Sequence, residues 1–177
     1  MILDLLQRVC KSLDQNNIPY MISGSIALNI YAIPRMTRDI DIVVELSENR
    51  IDEFINLFPN SYFDKEVIKD AIKSKGMFNI IDHKTGFKMD FIIHKETEYF
   101  NLAFHKRQRM NVLDTELWVI SLDDLIIAKL IWAQQTKSEK QLFDIENLLL
   151  NTDKDIAYIK NWCNKLNLLT FNLLDNE

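Results

Sequence analysis

Two aspartates one residue apart, in Asp39-Ile40-Asp41-Ile42-Val43-Val44, restrict this chain more than any other stretch of it. The apolar alternation reads as a β-strand. Successive strand side chains point to opposite faces, so Asp39 and Asp41 share one face while Ile40, Ile42 and Val44 share the other. Their Cα atoms then lie about 6.6 Å apart at roughly 3.3 Å per residue. Two like charges that close repel and call for a compensating cation. Ligands made of oxygen alone select a hard ion such as Mg2+, which keeps waters and completes its shell with substrate phosphates. Upstream, Ser23-Gly24-Ser25 lies between an apolar strand and a helix, where backbone N–H groups and the helix N-terminus favour a phosphate. A phosphate site beside a metal site points to nucleotide chemistry.

The rest of the chain supplies elements around this motif. Ile2, Leu5, Leu6, Val9 and Leu13 follow helical spacing, and Pro19–Ser23 reads as a short buried strand. Ile26, Ala27, Ile30 and Ile33 repeat at helical intervals until Pro34. Helices are expected after Ser47 and over Asp64–Lys73, followed by a hairpin of Met77–Asp82 and Phe87–His94 around Lys84-Thr85-Gly86. On its second strand Met89, Phe91 and Ile93 share one face and Lys88, Asp90 and Ile92 the other, which makes Asp90 a third carboxylate in an apolar setting. A strand over Leu117–Ile120 precedes three helices, the first opened by Ser121 with an acid at its third position. The last is expected to be capped by Thr152 or Asp153. The expected organisation is a core over residues 1–120 and a helical C-terminal part over 121–177, packed as one compact unit.

A chain of 177 residues, 47% hydrophobic and 27% charged, is long enough for a core and too apolar for disorder. The net charge of −5 argues against broad binding to nucleic acid or anionic membranes. Cys10 and Cys163 match no metal spacing and read as buried thiols of a reducing compartment. Neither a leader nor an apolar run of about 18 residues is visible, so a cytoplasmic location without membrane insertion is expected.

The set Gly24-Ser25, Asp39-x-Asp41 and a lone Asp90 on a later strand resembles the minimal nucleotidyltransferase superfamily. The likeness is to its small bacterial members: antibiotic nucleotidyltransferases, AbiEii-like toxins and MNT antitoxins. It extends through Ser121–Ile126, Lys129-Leu130, Ser138–Gln141, Asp144-Ile145 and Asp155–Tyr158, and so covers most of the chain. The resemblance implies an α/β (α+β) fold with a mixed sheet of about four or five strands flanked by helices. It also implies transfer of a nucleoside monophosphate from an NTP to a hydroxyl acceptor, using Mg2+ held by the acids.

On that reading Asp39 and Asp41 bind both ions of a two-metal site, with Asp90 on the second. Asp90 also accepts the proton of the acceptor hydroxyl. Gly24 and Ser25 hold phosphate, and Arg38 either neutralises the triphosphate or balances Asp39 and Asp41. Lys129, inside an apolar helical stripe, either contacts phosphate or pairs with Asp144 or the solvent. Lys106, Arg107 and Arg109 are a solvated face or line the acceptor side. His94 is the one histidine placed to reach the cleft, and Trp118, Trp132 and Trp162 read as core. The acceptor class (small molecule, tRNA or protein) stays open. The alternative function is a regulatory or antitoxin-type protein acting through a partner chain.

Overall fold

A computed structural model describes residues 2–112 and 114–175. Its centre is a mixed sheet of seven strands in the order β3-β4-β5-β2-β1-β7-β6. The strands are β1 Tyr20–Ile22, β2 Asp39–Val44, β3 Ser61–Tyr62, β4 Met77–Asp82, β5 Lys88–Ile93, β6 Gln108–Val112 and β7 Thr115–Val119. The sheet is wider than the four or five strands expected. The additions are β3, only two residues long, and the edge strand β6, whose sequence Gln-Arg-Met-Asn-Val lacks a clean apolar alternation.

β2 and β5 run parallel and side by side, with Asp39 opposite Lys88, Asp41 opposite Asp90 and Val43 opposite Ile92. Residues 40, 42 and 44 of β2 and 89, 91 and 93 of β5 are buried on the opposite face. That face meets helix α1 (Ile2–Gln15), α3 (Ile51–Ile55) and α4 (Lys65–Ser74), whose own apolar stripes are Leu5, Leu6, Val9 and Leu13, then Ile51 and Phe54, then Ile68, Ala71 and Ile72. Phe54 stands edge-on to Phe91 at 5.1 Å and to Phe78 at 5.8 Å, and Phe78 stacks on Phe91 at 5.3 Å. Burying each such ring contributes about 1.5–3 kcal/mol. That tight packing fixes β2 and β5 in register, and the register sets the two acids side by side.

The acid-bearing face is covered differently. Helix α2 (Gly24–Tyr31) begins directly after β1. α6 (Leu122–Thr136) is buried around most of its circumference, as expected of a helix with neighbours on several sides. It packs against α2, α7 (Glu139–Leu149) and α8 (Ile156–Lys165). The Ser121 hydroxyl accepts from the Asp124 amide at 3.2 Å, which is the cap expected. α8 is capped by Asp155, not by Thr152 or Asp153. The Asp155 carboxylate takes the Tyr158 amide at 2.9 Å, three residues on, the reach a cap requires. One helix, α5 (Glu98–His105), was not expected at all. No helix among the described residues is long and apolar enough to cross a membrane.

Candidate active site

β1 leads into α2 through a turn that brings backbone against carboxylate. The Ser23 amide donates to the Asp41 carbonyl at 3.0 Å, and Gly24 follows with φ +57. A Cβ on Gly24 would stand 1.9 Å from Asp41 Oδ2 and 2.4 Å from its Cγ. Only glycine gives this approach, both for its left-handed conformation and for the space. The Ser25 amide donates to the Asp41 carboxylate. Ser23 occupies the cap position of α2 but makes no side-chain cap bond, so α2 opens with N–H groups turned toward the acids.

Asp41 and Asp90 are neighbours across two parallel strands and point to the same face. Burial raises the Asp41 carboxyl above its ordinary value, and the Asp90 charge raises it further, against the Ser25 amide and Lys129. Asp90 is 6% exposed. Its Oδ2 takes an ion pair from Lys88 Nζ at 2.7 Å, while its buried Oδ1 has no hydrogen-bond partner among the described residues. The same Lys88 ammonium lies 3.8 Å from Asp39 Oδ1. The Asp90 hydrogen bond holds Lys88 above the usual lysine range. A lysine thus stands where the sequence called for a metal cation.

Among the described residues no three His, Cys, Asp or Glu side chains stand as a ready-made metal cluster. The donors nevertheless suit Mg2+. They are carboxylate oxygens on one face, one buried oxygen is unpaired, and the cleft in front is open to the waters and phosphates that such an ion keeps. Asp39, Asp41 and Asp90 are the residues that would hold it.

Behind the glycine turn lies an ion network that sequence reading half anticipated. Asp144 on α7 is fully buried and receives Arg35 twice, Nε to Oδ1 at 2.8 Å and Nη2 to Oδ2 at 2.7 Å. It also takes Lys129 Nζ at 2.7 Å, and Lys129 donates further to Gln141 Oε1 at 3.1 Å. Arg35 Nη2 reaches the Ser25 hydroxyl at 2.8 Å. Burial would push the Asp144 carboxyl up, but the bonds from Arg35 and Lys129 outweigh it and hold it below the usual range. Burial lowers Lys129, with Asp144 opposing. Lys129 is 3% exposed, so it does pair with Asp144, yet it also borders the cleft.

Arg35 is the residue that sequence reading missed. It follows Pro34 in a connection, and reciprocal bonds with Asn29 fix it, its amide to Asn29 Oδ1 and Asn29 Nδ2 to its carbonyl, both 2.9 Å. Arg38, the arginine singled out instead, is exposed and does not border the cleft. The signal for Arg35 was an acid, Asp144, inside the buried stripe of a helix, which demands a cation.

The cleft in front of these groups measures about 330 Å3, lined by Gly24, Ser25, Asp41, Asp90, Lys129 and Gln141 among others. Trp132, 39% exposed, stands on its rim and is not core. Trp162 is core, and Trp118 lies under the guanidinium groups of Arg107 and Arg109, each 4.8 Å from the ring. Lys106 lies over Tyr158 at 3.5 Å. The basic cluster is thus seated on aromatic faces, and none of its three residues lines the cleft.

A mixed sheet with a glycine turn, two acids on one strand and a third on its parallel neighbour defines a nucleotidyltransferase class of fold. The chain belongs to the family of nucleotidyltransferases of unknown function DUF6036, whose pattern matches residues 1–173. No curated protein matches the sequence. Solved structures share the fold at low identity. The antibiotic nucleotidyltransferase ANT(2'')-Ia, in complex with adenylyl-2''-tobramycin, superposes with a TM-score of 0.57 at 12% identity, over 82% of this chain and 86% of that one. An antigenic nucleotidyltransferase-like protein from Paracoccidioides brasiliensis gives 0.52 at 17%, over 83% and 73%.

Proposed function

We propose that this protein moves a nucleoside monophosphate from an NTP to a hydroxyl acceptor with Mg2+ as the cofactor. The observation that carries the reading is the register of β2 and β5, which sets Asp41 beside Asp90 with Asp39 one step away. The buried, unpaired Asp90 Oδ1 supports it. The triphosphate would lie at the start of α2, against the amides after Gly24 and near Lys129, where N–H groups and a buried ammonium favour anionic oxygens. Arg35 orients the Ser25 hydroxyl and ties that turn to Asp144.

Mg2+ held by Asp39, Asp41 and Asp90 would supply charge neutralisation on the phosphates. The acceptor oxygen attacks the α-phosphorus in line, a new P–O bond forms, and the bond to the bridging oxygen breaks so that pyrophosphate leaves. Asp90, next to the reacting centre and close to a second carboxylate, takes the hydroxyl proton. Positioning and electrostatics do most of the remaining work, since this chemistry asks little covalent participation of the protein. Lys88 must give up its place between Asp39 and Asp90 for the ion to enter.

Isothermal calorimetry with α,β-methylene ATP, and with the CTP, GTP and UTP counterparts, tests the reading. At least one nucleotide should bind, only with Mg2+ present, and Asp90→Asn should weaken it by at least about tenfold. Absence of binding by all of them would refute the reading.

A further inference from the structure

The cleft does not end at the carboxylates. Past Ser23, Met77, Ile92, Ala128 and Trp132, which border both spaces, it opens into a second cavity of about 200 Å3. Its floor is the same sheet face. Val43 and Ile92, register partners, are the residues two positions beyond Asp41 and Asp90, and Met21 lies beside Val43 on β1. Tyr99, Phe100 and Ala103 of α5 and Ile131 and Trp132 of α6 close it.

Among the described residues no carboxylate borders this annex, and its two lysines and its histidine already have partners. Lys75 pairs with Glu96 at 2.7 Å, Lys95 sits over the Phe100 ring at 5.4 Å, and His94 Nε2 bonds Asn101 Oδ1 at 2.8 Å. What faces the space is mainly hydrocarbon and aromatic surface, with Ser23, Gln135 and the polar atoms of Tyr99 and Trp132 as further polar groups.

We propose, resting on the transferase reading above, that the annex holds the body of the acceptor, and that the acceptor is a small, weakly charged alcohol or phenol carrying one ring. Three features carry this. A hydroxyl oxygen beside Asp90 is one strand step of about 6.6 Å from Ile92 and Val43, the span of a two- or three-atom tether. A ring placed there is removed from water among apolar walls that offer nothing better to solvent. The other candidates fit less well. A nucleobase would bury several donors and acceptors among walls that are mainly hydrocarbon and aromatic, and a polyamine or amino sugar would enter a space whose described lining has two lysines and no acid.

Two variants fill the annex without touching the carboxylates: Val43→Phe from the floor and Ala103→Leu from the wall. Calorimetry compares three alcohols (2-phenylethanol, tyrosol and cyclohexylmethanol) with protonated glucosamine, and separately measures Mg2+ with the methylene NTP analogues. The wild type should bind at least one of the alcohols and bind glucosamine more weakly. Each variant should weaken the alcohol by at least about tenfold, the scale on which an apolar pocket discriminates, while nucleotide affinity stays within about twofold. The proposal is overturned if none of the alcohols binds, if both variants bind it like the wild type, or if glucosamine binds more tightly. It is also overturned if nucleotide affinity falls instead, which would make the annex a base site. Failure of the transferase reading shows separately, as absence of nucleotide binding by the wild type in the second titration.

Discussion

Replacing Gly24 by alanine should damage the fold through one carboxylate, and the coupling can be measured. The added Cβ would meet Asp41 Oδ2 at 1.9 Å, Cγ at 2.4 Å and Cβ at 2.8 Å, at a φ of +57. The left-handed conformation costs about 1–2 kcal/mol for a residue with a Cβ. Pushing the Asp41 side chain aside in a packed turn adds about 1–3 kcal/mol, so Gly24→Ala alone should lose about 2–5 kcal/mol. In an Asp41→Ala background the two shortest overlaps disappear with the carboxylate and only the 2.8 Å contact stays. The glycine change should then cost about 1–3 kcal/mol, a coupling of about 1–2 kcal/mol between the positions. Asp41→Ala by itself should be close to neutral at pH 7. Burial and Asp90 raise the Asp41 carboxyl in the folded protein, so its charged form weakens the fold at any pH above that raised value. Urea midpoints of the four proteins by circular dichroism give the cycle. Additivity within about 0.5 kcal/mol would mean that Gly24 does not stand against Asp41, and the close approach of this turn to the carboxylate would be refuted.

Other changes separate the ion pairs. Lys88→Met removes the partner of the buried Asp90 Oδ2, and should lower stability by about 1–3 kcal/mol without metal while increasing the thermal shift given by Mn2+. An unchanged metal response would show that Lys88 does not compete for the acids. Asp144→Asn leaves Arg35 and the buried Lys129 uncompensated and should cost about 3–5 kcal/mol at pH 7. The Asp144 carboxyl is held below its ordinary value of 3.8 in the fold, by the bonds from Arg35 and Lys129. Its contribution is therefore complete above that pH and is lost as pH falls below 3.8 through the depressed folded value. Urea midpoints of wild type and variant should converge at the acid end. A constant gap down to pH 2 would refute this assignment.

The acid triad was legible because strand alternation alone sends Asp39 and Asp41 to one face and Asp90 to the matching face of another strand. The register that makes Asp41 and Asp90 neighbours was not legible, because it is set by ring packing beneath the sheet, by Phe54, Phe78 and Phe91 from three distant segments. Arg35 was hidden for a related reason. Its role depends on Asp144, more than a hundred residues away, and nothing local marks one connecting arginine over another. Lys88 was read only as a face-sharing neighbour of Asp90, yet the parallel pairing puts its ammonium between two acids. The edge strand β6 escaped because Gln108, Arg109 and Asn111 leave it no clean apolar alternation, although it pairs with β7, where the strand over Leu117–Ile120 was legible. Periodicity records the burial of a face, and on β6 Met110 and Val112 are only half-buried against the core.

Transfer itself is read out by the fate of a label on the nucleotide. Each NTP, labelled at the α-phosphate in one sample and the γ-phosphate in another, is incubated with Mg2+, the protein and a pool of small alcohols supplemented with a metabolite extract. The α-label should move onto a new species and the γ-label should leave as pyrophosphate, and Asp41→Asn and chelation by EDTA should each abolish both while the variant stays folded. Release of the γ-label as free phosphate, or transfer that survives Asp41→Asn, would contradict this mechanism.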